Sequence, residues 1–316
     1  MSRKSTLIVG TRDSILARLQ TDLALKALSQ AIPDLKFEIV AVKTSGDKIL
    51  NKPLAELGGR GVFTKELEDS LLENEVDLVV HSLKDLPTVL PEGLQLAATI
   101  MREDPRDVLV GSCKFANLPA GSRVASSSRR RAAQLSALRR DLKFVDIRGN
   151  IQTRMRKLDE GQCEAMILAA AGLLRLELRS RIQEYFSIDR CMPAVGQGAL
   201  GIECRQDDAD LLEILGQVND AKVWACVQSE RALLNRLGGG CSVPVGAHAA
   251  LNAEGQIELQ ACVASLDGTR IFKDTACGAM SNPSLPGLQL ADKLIAQGAG
   301  EVLEELLQSP AQVSPP

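Results

Sequence analysis

Up to about residue 200 the chain alternates short apolar runs with amphipathic helical stretches, and that alternation confines it to layered α/β architectures. Residues 7–9, 37–42, 78–81 and 94–100 read as strands, with helices over 14–31 and 64–74 between them. Ser14 and Thr64 are suited to cap those helices, and Leu67, Leu71 and Leu72 recur at helical spacing. A second set follows the polar stretch 102–107. Its strands lie near 108–110, 124–126, 144–147 and 165–168, and its helices start from Ser128, Asn150 and Ala170. Two α/β lobes joined by two crossings, at 102–105 and 194–201, predict a hinged cleft. The last part reads differently: a helix over 222–237, strands over 245–251, 257–264 and 270–276, and a covering helix over 288–307. In the middle strand Ile257, Leu259, Ala261 and Val263 alternate with polar Glu258 and Gln260, as in a sheet with one buried face. The tail 309–316, with three prolines, reads as disordered. The expected division is a first lobe of 1–101 with 197–218, a second of 102–196, and a C-terminal α+β domain of 219–316 carrying a three-stranded antiparallel sheet.

At 316 residues the chain exceeds what one core usually serves. No apolar run approaches the ~20 residues of a membrane span, and the N-terminus lacks the pattern of a secretory signal, so the chain reads as cytoplasmic. Eight cysteines are scattered singly, with only two histidines to join them, which disfavours a metal site and a disulfide framework. The net charge of −3 conceals an asymmetry. Between Arg123 and Arg181, twelve Arg and two Lys stand against six acidic residues, a balance of +8, whereas from Asp207 onward six basic residues stand against fourteen acidic ones, −8. Arginine dominates the basic block, which suits bidentate recognition of carboxylate or phosphate. The expected partner is a small anion.

Four motifs carry candidate chemistry. In Ser126-Ser127-Ser128-Arg129-Arg130-Arg131, hydroxyls, helix N–H groups and guanidinium groups converge where a strand meets a helix, which makes an anion site. Arg148-Gly149-Asn150 repeats the arrangement, with Arg154 one turn later, and Thr11-Arg12-Asp13-Ser14 offers a weaker version. His81-Ser82-Leu83-Lys84-Asp85-Leu86-Pro87 places an acid and a base at a strand's C-terminal end, where open α/β sheets bind ligands. Gly238-Gly239-Gly240-Cys241-Ser242-Val243-Pro244 sets a thiol in a loop too glycine-rich for core packing. Taken singly, each also fits ordinary structure: a capped helix with a solvated basic face, a surface ion pair beside a structural histidine, a tight turn with an incidental cysteine.

Taken in order, these motifs resemble the porphobilinogen deaminase (hydroxymethylbilane synthase) family. Gly10-Thr11-Arg12, Thr44-x-Gly46-Asp47, Gly58-Gly59-Arg60-Gly61, Lys65-Glu66-Leu67-Glu68, His81-Ser82-Leu83-Lys84-Asp85 and Glu103-Asp104-Pro105-Arg106-Asp107 carry the resemblance in the first half. Ser127-Ser128-x-Arg130-Arg131, Arg148-Gly149-Asn150, Pro193-Ala194-Val195-Gly196-Gln197-Gly198 and Gly239-Gly240-Cys241-x-Val243-Pro244 extend it, over roughly residues 6–307. The resemblance implies two periplasmic-binding-protein-like lobes with the active site between them, and a transferase of tetrapyrrole (heme) biosynthesis. Such an enzyme joins four porphobilinogen molecules head to tail, releasing ammonia at each step and hydroxymethylbilane at the end. It also implies a dipyrromethane cofactor held by a thioether to Cys241. Asp85 matches the catalytic aspartate. Lys84, Asp85, Ser128, Arg130, Arg131 and Arg148 match positions that hold the cofactor, and Arg12, Ser14, Ser127, Arg148, Arg154, Arg175 and Gln197 match positions that hold substrate. Every pyrrole bears acetate and propionate groups, which accounts for the arginines. The sequence departs from the family's frequent Arg at Ile8 and Lys at Glu56 and Arg60; Arg60 keeps the charge. No metal is implied, and a monomer is expected.

Two rivals remain at this level. A two-lobed anion-binding protein without catalysis shares the fold, and a nucleic-acid binder would use the same arginines. An aromatic content of 3% and an acidic chain oppose base stacking and broad phosphate tracking.

Overall fold

The computed structural model describes residues 6–44, 61–238 and 243–308. The first α/β lobe begins with β1 (Thr6–Arg12), α1 (Ile15–Ala31), β2 (Lys36–Val42), α2 (Lys65–Leu72), β3 (Leu78–Ser82) and β4 (Leu94–Arg102). Ser14 caps α1 by accepting a hydrogen bond from Ala17 N at 3.2 Å, and the helix buries Thr21, Ala24, Leu25 and Leu28 against the sheet. The chain then crosses into the second lobe: β5 (Asp107–Gly111), β6 (Arg123–Ala125), α3 (Arg129–Leu138), β7 (Lys143–Val145), α4 (Ile151–Asp159), β8 (Ala165–Ala169), α5 (Ala170–Arg175) and β9 (Ile182–Tyr185). It returns through β10 (Ala199–Arg205) and α6 (Ala209–Gly216).

The two sheets share one plan, β2-β1-β3-β10-β4 and β7-β6-β8-β5-β9. In each, the first three strands run parallel and the fourth is antiparallel to both its neighbours. That fourth strand is the one adjoining a crossing: β5 follows the first and β10 the second. Two lobes exchanging the chain twice is the periplasmic-binding-protein-like arrangement expected from the sequence. β8 and nearly all of β10 are buried, as central strands covered on both faces must be.

Helix α7 (Ala221–Arg236), capped by Asp220, opens the C-terminal region. Strands β11 (Val245–Leu251), β12 (Ile257–Ala264) and β13 (Ile271–Gly278) pair antiparallel in sequence order. Leu233, Ala247, Leu259, Ala261, Leu290 and Leu294 fill the core between this sheet and its helices. The fold class read from the sequence is therefore present: α/β lobes plus a small α+β unit with a three-stranded antiparallel sheet.

Three local readings change. Segment 194–201, expected as a linker, becomes strand from Ala199 onward. β9 and α6 carried no signal strong enough to be read. The single covering helix expected over 288–307 is two, α8 (Ser284–Leu294) and α9 (Gly300–Gln308), because Gly298 adopts φ +107° between them. The tail 309–316 lies outside the described residues.

The crossings are pinned by buried charge. Arg102 pairs with Glu230 of α7 at 2.6 Å and donates to Gln197 O at 3.1 Å, while Glu230 also accepts from Gly196 N and Ala249 N. One carboxylate thus joins both connecting segments to the C-terminal sheet.

Candidate active site

A cleft of about 560 Å³ opens between the lobes. The first lobe lines it with Arg12 and Ser14 at the start of α1, Lys43 after β2, and His81, Ser82, Lys84 and Asp85 at the end of β3. The second lobe faces these with Arg131, with Arg148 through Arg154 at the start of α4, and with Arg175 of α5. Helices α1 and α4 both direct N-terminal ends at the cleft, adding backbone N–H groups and the positive end of each dipole to the side-chain cations. Asn150 accepts from Thr153 N at 2.8 Å to fix the second of these ends. Gly149 is required before it, at φ +112°, since a Cβ there would come within 2.7 Å of Thr153 Cγ2.

Arg154, Arg175 and Lys84 have no carboxylate within ion-pair distance among the described residues. Arg154 Nε donates to Gly149 O at 2.8 Å. Burial, then the like charges of Arg131 and Arg148, pull its pKa down to about 10. Arg175 donates to Gly198 O at 2.6 Å but leaves Nε buried without a partner, and burial lowers it to about 10 as well. Lys84, with its ammonium deep in the cleft, falls to about 8 through burial, with Asp85 opposing the fall and Arg131 adding to it. Asp85 itself forms no hydrogen bond or ion pair with any described residue, although its charge acts on both Lys84 and Arg154. The cleft thus holds excess positive charge and, in Asp85, a carboxylate that no donor among the described residues claims.

Two family models match the chain: porphobilinogen deaminase, dipyrromethane cofactor binding domain, over residues 7–213, and porphobilinogen deaminase, C-terminal domain, over residues 224–296. The chain belongs to the porphobilinogen deaminase family. It is 49% identical over 299 residues to the porphobilinogen deaminase of Desulforudis audaxviator, covering 94% of this chain and 96% of that one. It is 45% identical over 305 residues to that of Carboxydothermus hydrogenoformans, covering 96% and 98%. Among solved structures it is similar to the periplasmic VFT2 domain of BvgS from Bordetella pertussis, with a TM-score of 0.41 and 15% identity over 68% of this chain and 86% of that one.

A dipyrromethane group fits the cleft by charge: it bears acetate and propionate carboxylates, and among the described residues Arg154 and Arg175 have no carboxylate within ion-pair distance. Of the residues the family resemblance singles out, the structure brings Arg12, Ser14, Lys84, Asp85, Arg131, Arg148, Arg154 and Arg175 to the cleft wall. It gives the others different surroundings. Arg130, expected to aim into the cleft, is buried and pairs with Asp107 at 2.7 Å, and it also donates to Met192 O. Arg131 shares that same Asp107 at 2.7 Å while still touching the cleft. Ser127 donates to Ile147 O and accepts from Ile147 N, tying the ends of β6 and β7 together. Ser128 caps α3, accepting from Arg131 N at 3.4 Å. Gln197 donates to Pro105 O at 2.6 Å and to Asp107 at 2.9 Å. Cys241, Glu56 and Arg60 lie outside the described residues. Ile8 packs partly buried against Leu67, Leu71 and Val79, away from the cleft.

The sequence reading missed Lys43 and Asp107. Lys43 stands just before the Thr44-x-Gly46-Asp47 motif and was not itself part of it. Asp107 did leave a signal: an aspartate opening the apolar run Asp107-Val108-Leu109-Val110, where a buried charge demands a partner. Its carboxyl is held well below the usual range by Arg130 and Arg131 despite burial that acts the other way. No helix among the described residues is long and apolar enough to cross a membrane.

Proposed function

We propose that this cleft deaminates porphobilinogen and joins four molecules head to tail into hydroxymethylbilane, on a dipyrromethane group carried by Cys241. The observation that carries the reading is Asp85: a carboxylate on the cleft wall with no hydrogen bond or ion pair to any described residue, beside Arg154 and Arg175, which have no carboxylate within ion-pair distance among the described residues. When bound, the dipyrromethane supplies the free pyrrole carbon to which the first substrate is joined. Arg12, Arg148, Arg154 and Arg175 hold acetate and propionate groups, and the helix ends at Ser14 and Asn150 add N–H donors. Expulsion of ammonia leaves positive charge shared with the substrate's pyrrole nitrogen. The Asp85 carboxylate accepts the pyrrole N–H and stabilises that charge, and Lys84 binds a neighbouring carboxylate. Arg130 and Arg131 act on the site mainly through Asp107, which fixes the start of α3 against β5. The first lobe comprises 1–101 with 197–218, the second 102–196, and the third domain 219–316. The protein works as a monomer in the cytoplasm, without nucleic acid or membrane.

Ammonia release from porphobilinogen tests the activity directly; a folded protein that binds porphobilinogen and releases none is a binding protein only. The intact mass of the purified protein tests the cofactor. The wild type is expected to carry a dipyrromethane adduct at Cys241 alone, and Cys241→Ser to show the bare polypeptide mass. An adduct mapped to another cysteine would overturn the assignment. Arg154→Leu removes a cation with no carboxylate within ion-pair distance among the described residues, so the fold should lose little beyond its hydrogen bond to Gly149 O. Cofactor assembly or elongation should be blocked, seen as bare or partial-chain masses, since a lost charge-assisted contact to a buried carboxylate costs ~1.5–3 kcal/mol. A normal mass ladder at a normal rate removes Arg154 from the site.

A further inference from the structure

The turn that carries Lys84 and Asp85 is gripped from outside its own lobe. Arg231 lies on α7, its side chain buried, and donates to Leu86 O at 3.2 Å and to Pro87 O at 2.6 Å. These are the carbonyls one and two residues beyond Asp85. At the turn's other end His81 Nε2 meets Glu203 of β10 at 2.7 Å, both side chains buried. Apolar contacts run the same way: Leu83 and Leu86 pack with Val227 of α7 and with the partly buried Val223 and Trp224. Room for Leu83 is made by two glycines, because a Cβ at Gly201 would sit 2.4 Å from Leu83 Cδ2 and one at Gly196 2.9 Å from Leu83 Cβ.

Arg231 is otherwise costly where it stands. Burial drives its pKa down to about 10, with the charge of Glu203 opposing, and among the described residues it has no carboxylate within ion-pair distance. A guanidinium placed in such surroundings and spent on two carbonyls of one turn fixes the course of that turn more tightly than apolar packing could, because a planar fork admits few geometries.

Resting on the reading of Asp85 as the catalytic carboxylate, we propose that Arg231 is a positioning residue for it. Through the carbonyls of Leu86 and Pro87, Arg231 sets where the Asp85 carboxylate stands in the cleft. Helix α7 thereby ties the position of the catalytic turn to the C-terminal domain. The groups facing this grip are Glu203 and His81 at the near end of the turn, with Glu68 of α2 behind them.

The test is a double-mutant cycle with the full-length protein carrying its cofactor, read as kcat and KM for ammonia release. Arg231→Met is expected to lower kcat by about 10- to 100-fold, as a misplacement on the order of 1 Å does, with KM little changed. In an Asp85→Asn background the same substitution should cost less than about threefold, because there is no carboxylate left to misplace. A purely structural arginine would cost the same in both backgrounds. Equal losses, or a change confined to KM, overturn the proposal. Should Arg231→Met not fold, Arg231→Lys serves: it keeps the charge but cannot span two carbonyls with a rigid fork. A kcat loss present with Asp85 and absent with Asp85→Asn supports the role, and an equal loss in both or none in either overturns it. Failure of the wild type to release ammonia would instead sink the reading of the site.

Discussion

Asp85→Asn is expected to lower kcat by at least about 100-fold while leaving the fold intact. The fold should survive because Asp85 makes no hydrogen bond or ion pair with any described residue, so the substitution leaves no donor among them unsatisfied. The rate should fall because Asn keeps the shape and loses the charge. Positive charge develops on the substrate's pyrrole as ammonia departs, and a fixed group aimed at such charge is worth ~3–4 kcal/mol. Asp85→Glu restores the charge on a longer arm and should lie between the two. Circular dichroism establishes folding, intact mass establishes cofactor loading, and ammonia release gives the rate. A folded, loaded Asp85→Asn protein working at near wild-type rate would move the catalytic role to another residue.

The largest effect on stability is expected at Asp107, which lies 0% exposed at the first crossing. It accepts from Arg130, Arg131 and Gln197, three side chains from two other parts of the chain. Asp107→Asn leaves two buried guanidinium groups sharing an amide, and breaking a buried pair in this way costs ~3–5 kcal/mol. The linkage has a definite sign. The folded pKa of Asp107 is depressed, so its contribution is fully present above the unfolded value near ~3.9 and is lost as pH falls toward the folded one. Urea unfolding midpoints from pH 7 down to about pH 3 should therefore show the wild type losing stability that the variant never had. A loss below about 1 kcal/mol at pH 7 would show that the arginines find other partners.

What the sequence disclosed depended on how far apart in the chain the causes lie. Helix α1 was legible because its cap and its buried face are all within one run of residues. The alternation of β12 was legible for the same reason. β10 was not, since its glycines look like turn formers. Gly201 is there because Leu83 and Leu96 occupy the space a Cβ would need, and Gly198 because Glu103 O lies 2.3 Å from where one would be. Neither neighbour is near in sequence. The site divides along the same line. Asp85, Arg148 and Arg154 follow strand ends and could be placed from local pattern and family resemblance. The contact of Arg130 with Asp107, 23 residues upstream, could not. His81 could be read as a structural histidine beside a buried strand, but its partner Glu203, 122 residues on, left no local trace.

The order of strands has a consequence for how the protein is made. The second lobe's sheet is drawn from one unbroken stretch, 107–185, whereas in the first lobe β10 is inserted between β3 and β4. A ribosome delivers β3 and β4 long before the strand that must separate them, so the lobe begun first is finished second. Until residue 205 emerges, the unpaired N–H and C=O edges of β3 and β4 that β10 will fill stand open to each other and to other chains. A fragment ending at residue 101 should collapse without its native sheet, and one spanning 103–190 should fold alone; limited proteolysis of the two separates these outcomes.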